Sequence, residues 1–345
     1  MLIFVYEFTC GGGWGGAPIP PSLHREGWTM LDAVLHDLGR CSGVRTVTLL
    51  DALGPQPTHP WPNNTAVLVA ATAASSHFVE LARQADFTLV IAPEFDDHLL
   101  KRCRQVEECG GRLLGPSVDA VRLTGDKLRL AEYLRSRQVP TPATLLWKWT
   151  NATVELPMVV KPRFGAGSQA TFLLHNSEDC AAAAAQATAE GWDGEMIQQP
   201  YSAGVAASVA FLLGPKIQLA LPAAAQHLST DGRFRYLGGS LPLPPDLNAR
   251  AQRLASQAVA AVDGLFGYVG VDVVLGLSAD GSADVLIEIN PRLTTSYAGL
   301  RRLATFNLAE ALLAVALGTP LPPLAWRETP IRFHAGGTAD AVAGE

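Results

Sequence analysis

Residues 268–292 read YVGVDVVLGLSADGSADVLIEINPR, two apolar strand-like runs joined by a short polar connection. Strand alternation puts Glu288 and Asn290 on one face, and Val285, Ile287 and Ile289 on the other. The connection decides whether Asp272 joins the acid face. A two-residue Asp280-Gly281 turn would set 272 opposite 289 and part the two acids. A three-residue loop, with Gly281 left-handed in a bulge, would set 272 opposite 288. The second register is expected. Two carboxylates opposed in an apolar hairpin repel each other, and a hard dication with oxygen ligands relieves that repulsion. Asp272, Glu288 and Asn290 are therefore candidate ligands for Mg2+, with Mn2+ as the alternative, shared with nucleotide phosphates. A pair of solvated strand acids is the bland alternative. Arg292, just past Pro291, would bring a planar fork to a phosphoryl or carboxylate oxygen, or make an ordinary ion pair.

Working upstream, the chain has only five lysines against 21 arginines, which makes each lysine in a motif informative. Lys161 ends an apolar run and precedes PRFGAGSQ at 162–169. Small residues such as Gly165, Gly167 and Ser168 let backbone N–H groups approach phosphate oxygens, while the ammonium supplies a compact charge. A Walker A loop has the reverse order, glycines before lysine, and opens a helix. Lys127 falls in the first turn of a helix within TGDKL at 124–128. There it opposes the helix dipole, a placement that makes sense if an anion is expected.

The rest of the chain divides into blocks. Residues 1–115 alternate apolar runs at 2–8, 46–50, 66–70 and 88–92 with helical patterns at 30–38 and 77–84, a βαβ signature for a parallel sheet. Residues 116–193 carry helices, a strand pair around 157–162 and 171–174, and an alanine-rich helix at 179–190. Residues 194–335 are strand-rich, starting with the strand at 196–199, and 336–345 read as a frayed tail. A Pro-rich stretch at 54–62 is read as a loop.

Near the start, GGGWGG at 11–16 literally contains G-x-G-x-x-G, and Asp51 imitates a ribose-binding acid. A dinucleotide site needs a helix to begin there, whereas the prolines at 18, 20 and 21 prevent one. A nicotinamide-dependent oxidoreductase is thus the weaker alternative, and a loop over a cleft the expected reading. Cys10 beside it reads as a quiet packed thiol.

Composition bounds the partners. With 345 residues, 48% hydrophobic and 17% charged, the chain can bury a large core, more than one domain's worth. A net charge of -6 argues against nucleic acid. No uncharged apolar run nears the roughly 18–20 residues of a membrane span. Five cysteines without Cys-x-x-Cys spacing fit reduced thiols in a cytoplasm, and the histidines do not cluster for zinc. Small molecules are the expected partners, with a homodimer left open.

Taken together, a glycine loop after a lysine, an intervening strand, and Asp…Glu-x-Asn-Pro-Arg resemble the ATP-grasp superfamily over about residues 116–300. The resemblance implies an α/β and α+β architecture, with two α+β subdomains clasping ATP behind a Rossmann-like parallel α/β domain. Residue by residue, it implies that Lys127 and Lys161 hold nucleotide phosphates, that Gly165, Gly167 and Ser168 cover them, and that Gln198, Gln199 and Tyr201 form the adenine hinge. Asp272, Glu288 and Asn290 match its metal ligands. One departure is plain: GVAAS at 204–208 lacks the glutamate that many members place there for the ribose hydroxyls. A non-catalytic nucleotide binder is therefore a further alternative. VYEF at 5–8, REGWTML at 25–31, YLGG at 236–239 and INPRLTTSYAGLR at 289–301 look, more narrowly, like the tyramine–L-glutamate ligase family of methanofuran biosynthesis. That resemblance implies the γ-carboxylate of L-glutamate and the amine of tyramine joined through an acyl phosphate, with another amino acid or peptide as the variant within the class. Arg292 and Lys161 would act at the reacting phosphate, with Thr295, Tyr297 and Arg301 taken as substrate residues from their nearness to the metal strand.

Overall fold

The computed structural model describes residues 1–15, 19–52, 60–62, 64–70, 74–149, 155–336 and 339–341. Gly16 of the first glycine loop, residues 54–59 of the Pro-rich stretch, and residues 337, 338 and 342–345 of the tail lie outside them.

The first apolar runs form parallel strands: β1 (Leu2–Glu7), β2 (Arg45–Asp51), β3 (Thr65–Ala70) and β4 (Phe87–Ile91), in the order β3-β2-β1-β4. Helices α1 (Pro21–Leu38), α2 (Ala74–Gln84) and α3 (His98–Glu108) flank this sheet. Helix α1 starts at the last proline of the Pro-rich run. Pro21 sits at its N-terminus, where a missing N–H costs nothing. Two of the glycines before it, Gly11 and Gly13, are explained by packing. A Cβ on Gly11 would lie 2.4 Å from the Tyr6 ring, and one on Gly13 2.4 Å from the Phe8 ring. These glycines let the chain fold back onto its own aromatic strand, and no helix opens at them.

Next come α4 (Val118–Gly125) and α5 (Lys127–Ser136), then an antiparallel sheet of β5 (Leu145–Trp147), β6 (Met158–Pro162), β7 (Phe172–Leu174) and β8 (Met196–Pro200), with α6 (Ser177–Ala189) packed on it. Asn176 and Asp179 close a capping box at the start of α6. Strand β8, read from sequence with the third block, pairs instead with β5 and β6.

The third sheet holds β9 (Gly204–Leu213), β10 (Gln218–Ala220), β11 (Ala224–Leu228), β12 (Tyr236–Leu241), β13 (Gly267–Gly276), β14 (Val285–Asn290), β15 (Ile331–His334) and β16 (Ala339–Ala341). Its order is β14-β13-β9-β11-β12-β15-β16, with β10 beside β9. Of the tail expected to fray, Ala339–Ala341 pairs with β15. Helix α7 (Pro245–Ala261) covers one face of the sheet, with Leu254, Ala255 and Ala258 against Val271, Val273, Leu286 and Ile289. Helices α8 (Ser296–Leu303) and α9 (Leu308–Leu317) join the other face to α1.

The β13–β14 hairpin sets Asp272 opposite Glu288, as expected, but by a different device. Gly281 is left-handed (φ 76°), yet the register nearer the turn pairs Val274 with Val285 and Val273 with Leu286. A bulge between Asp272 and Val273 then leaves Ile287 without a partner. This extra residue shifts the pairing by one and returns Glu288 to the face of Asp272. It also overturns the simple alternation. Leu286 and Ile289 enter the core, while Ile287 lines the same cavity as Glu288.

Candidate active site

Between the second and third sheets lies a cavity of about 730 Å³, within the usual range for a small-molecule site. One wall comes from Val159 and Lys161 of β6, the loop 165–169, and Gln199 to Ser202. The other comes from Ser208, Gln226, Asp272, Glu288 and Asn290.

Lys161 is 8% exposed, and burial pulls its ammonium down to about 8 even though Glu288 and Asp272 face it. Lys127, at the first turn of α5, donates from Nζ to the Gly165 carbonyl at 2.7 Å and lies 3.3 Å from Glu288 Oε2. Its position is fixed from below. The Lys127 N–H donates to the Arg163 carbonyl at 3.2 Å, and Arg163 clamps Asp126, the N-cap of α5, at 2.8 and 2.6 Å. Both lysines therefore converge on one carboxylate.

The two opposed acids differ in state. Burial drives Asp272 up, and the negative charge of Glu288 adds to this, raising it to about 7. Burial also pushes Glu288 upward, but Lys127 and Lys161 outweigh it and the net direction is down. Asp272 accepts from Asn290 Nδ2 and from Gln226 Nε2, both at 3.0 Å. Gln226 stands two strands away across β9 and carried no sequence signal, because its nearness follows only from the order β13-β9-β11.

The donor set suits a hard dication. No trio of His, Cys, Asp or Glu among the described residues makes a complete cage. Two carboxylates and an amide oxygen suit instead an ion that keeps waters and shares substrate phosphates. The upward push on Asp272 marks where positive charge would be accommodated.

Gly165, Gly167 and Ser168 line the cavity, and Ser168 Oγ donates to the Phe234 carbonyl at 2.6 Å. The loop 229–235 thereby reaches across from the third sheet. Arg233 reinforces it with bonds to the Thr171 carbonyl (2.8 Å) and to Glu190 (2.7 Å). Gln199 lines the cavity and donates to Thr144 at 2.9 Å, and Tyr201 lines it beside Phe234. Gln198, its neighbour on the alternating strand, is not part of the lining.

Arg292 lines the cavity, but its fork is taken. Nε and Nη2 donate to the two oxygens of Glu94 at 2.9 and 3.1 Å, and Nη1 to the Leu293 carbonyl at 3.2 Å. Thr295 lines the cavity, whereas Tyr297 and Arg301 do not. Both bind Asp37 of α1, Tyr297 Oη at 3.0 Å and Arg301 Nε at 2.9 Å. They are close to the metal strand in sequence only, because α8 turns them toward α1. Glu26, also on α1, reaches the cavity and was singled out by no chemical signal. Burial raises its carboxyl to about 7 against the pull of Arg292 and Arg25. Cys10 is buried and its thiol is pushed far up by burial, a quiet thiol as expected.

The model of the ATP-grasp domain family matches residues 124–296, half of the chain, and that of the pre ATP-grasp 3 domain matches 44–121. The chain belongs to the ATP-grasp family. This ATP-grasp chain is 30% identical over 229 residues to tyramine–L-glutamate ligase of Methanocaldococcus jannaschii, covering 66% of this chain and 62% of that one. It is 28% identical over 232 residues to the enzyme of the same name from Methanocaldococcus fervens, covering 66% and 65%. The match thus spans a little under two thirds of these relatives' length. A putative ATP-grasp superfamily protein from Archaeoglobus fulgidus shares the fold over 96% of this chain and 92% of its own, with a TM-score of 0.70 and 24% identity. No helix of the described residues is long and apolar enough to cross a membrane.

Proposed function

We propose that this ATP-grasp protein is an ATP- and magnesium-dependent ligase that joins a carboxylate to an amine through an acyl phosphate. The acid is L-glutamate and the amine tyramine, as a step of methanofuran-type cofactor biosynthesis. The observation that carries the reading is the convergence of Lys127, Lys161 and the opposed pair Asp272 and Glu288 on one cavity. The 28–30% identity to tyramine–L-glutamate ligases supports the choice of substrates.

Lys161 and Lys127 set two ammonium groups against the phosphate oxygens of ATP, and the loop 165–168 lies over them with its backbone N–H groups. Asp272, Glu288 and Asn290 would hold the magnesium ion, which supplies charge neutralisation between the carboxylates and the phosphates. The substrate carboxylate attacks the γ-phosphorus as the bond to ADP breaks. The amine then attacks the acyl carbon, the acyl C–O bond breaks, and phosphate departs. Both steps need positioning and charge neutralisation more than a side-chain nucleophile. Gln199 and Tyr201 would contact the adenine, a role supported by their place in the cavity lining. Arg292, braced by Glu94, would turn the charge of its cationic plane toward the reacting phosphate. Incubation with ATP, Mg2+, L-glutamate and tyramine, followed by ADP release and product mass, tests the reading. ADP formed only with both co-substrates, and a condensed product, are expected. Nucleotide binding without turnover would reject it.

A further inference from the structure

Beyond the acid pair the cavity runs on toward the first sheet, where Glu26, Tyr236, Thr294, Thr295 and Ser296 line it. Of the charges near this end, Arg25 is exposed and off the cavity wall. Arg292 is held by both oxygens of Glu94. Tyr236 and the three hydroxyl residues are neutral; burial pushes the phenol of Tyr236 far up. The Glu26 carboxylate, by contrast, accepts no hydrogen bond and makes no ion pair among the described residues. Glu26 is half-buried at the cavity wall, with Arg292 and Arg25 acting on it only through space, and a carboxylate left without a bonded partner there is shaped for a guest of opposite sign. The guest wanted here is a cation. An amino acid entering by this end would bring a second carboxylate and need a free arginine or lysine, which this wall lacks. An amine on an apolar stem needs only an anion and a greasy wall, and Phe333 and the Tyr236 ring supply the latter.

We propose that Glu26 anchors the ammonium group of the incoming amine, making the far end of the cavity the acceptor subsite. This rests on the reading of the site as a carboxylate–amine ligase. Glu26 takes one proton from the bound ammonium. The freed amine forms the C–N bond as the acyl C–O bond breaks, and phosphate leaves with the second proton, so that one hydrogen stays on the amide nitrogen. Glu26 is then a determinant of amine selection contributed by the first sheet's own helix, whereas the nucleotide and metal groups come from the other two sheets.

The test compares two acceptors for the same acyl phosphate. Hydroxylamine is uncharged at neutral pH and traps the intermediate as a hydroxamate without needing an anionic anchor; tyramine is an ammonium ion. With ATP, Mg2+ and L-glutamate, Glu26→Gln should raise the KM for tyramine at least about tenfold, the loss of one charge-assisted contact, and lower the amide-to-hydroxamate ratio by a similar factor. Glu26→Asp should recover part of both. An unchanged ratio, or a rise in the KM for L-glutamate in place of tyramine, would overturn the assignment. Absence of hydroxamate from the unaltered enzyme would instead bring down the ligase reading itself.

Discussion

Asp272 and Glu288 carry the same functional group in one hairpin, and their surroundings set them apart. Glu288 has two lysines facing it and is held ionised, while Asp272, bonded by two amides and the Ser208 hydroxyl, is pushed up to about 7 by burial and the neighbouring negative charge. Removing the charge that both lysines share should therefore be decisive. Glu288→Gln is expected to cut ADP release by at least about a hundredfold with an unchanged melting profile; undiminished turnover would reject its role. Lys161→Ala should weaken ATP binding by roughly 10–100-fold, the worth of a charge-assisted contact, read by titration calorimetry. Glu26 bears on stability as well. Its carboxyl binds a proton more tightly in the folded chain than in the unfolded one, about 7 against 4.5. The folded state therefore carries more protons within that window, so stability declines as pH rises from about 4.5 to 7 and stays reduced above it. Glu26→Gln should flatten this slope and stabilise the protein at pH 8 by on the order of 2 kcal/mol, measured by urea unfolding at pH 5 and pH 8.

At the scale of elements, what could be read from sequence was set by local pattern. The four parallel strands, α6 and the β13–β14 hairpin follow from periodicity and caps, and the pairing of residue 272 with 288 was expected. The device behind that pairing was not readable. A bulge at Ile287 reconciles a turn-proximal register with the demand of α7 for Leu286 and Ile289, and that demand is tertiary. The hydrogen bonds of Gln226 to Asp272, and of Glu94 to Arg292, likewise join segments far apart in sequence. The loop 229–235 is the element most exposed to test. Arg233 lies over the Phe172 ring at 4.4 Å while bonding Thr171 and Glu190, which ties the third sheet to the glycine loop side. Arg233→Ala should leave global unfolding nearly unchanged yet speed proteolysis within 163–170 about fivefold, as a local opening costing roughly 1 kcal/mol less would do. Protection by ATP should persist. Equal cleavage rates in variant and parent would count against the loop as a clasp.

At the scale of the whole molecule, the first sheet is joined to the third by a core and a clamp. Leu31, Leu35 and Leu38 of α1 pack in one cluster with Tyr297, Leu300, Leu308 and Leu312. Within it, Asp37 is 5% exposed and accepts from Tyr297 and Arg301, while its carbonyl accepts from Asn307 Nδ2 at 2.8 Å. Tyr297 and Arg301, expected from sequence to meet substrate, instead tie α8 to α1, the helix that carries Glu26. Asp37→Ala leaves the Arg301 guanidinium largely buried without its counter-ion, a loss of about 3–5 kcal/mol. Because the same apolar cluster spans both parts, that loss should lower the midpoint of one shared transition rather than split unfolding into two. A chain cut after residue 115 would present the apolar face of α1 to water and should show no cooperative melt by near-ultraviolet dichroism. A cooperative transition in that fragment, or two resolved steps in Asp37→Ala, would mean that the first sheet is an autonomous unit and that Glu26 is carried to the cavity by docking alone.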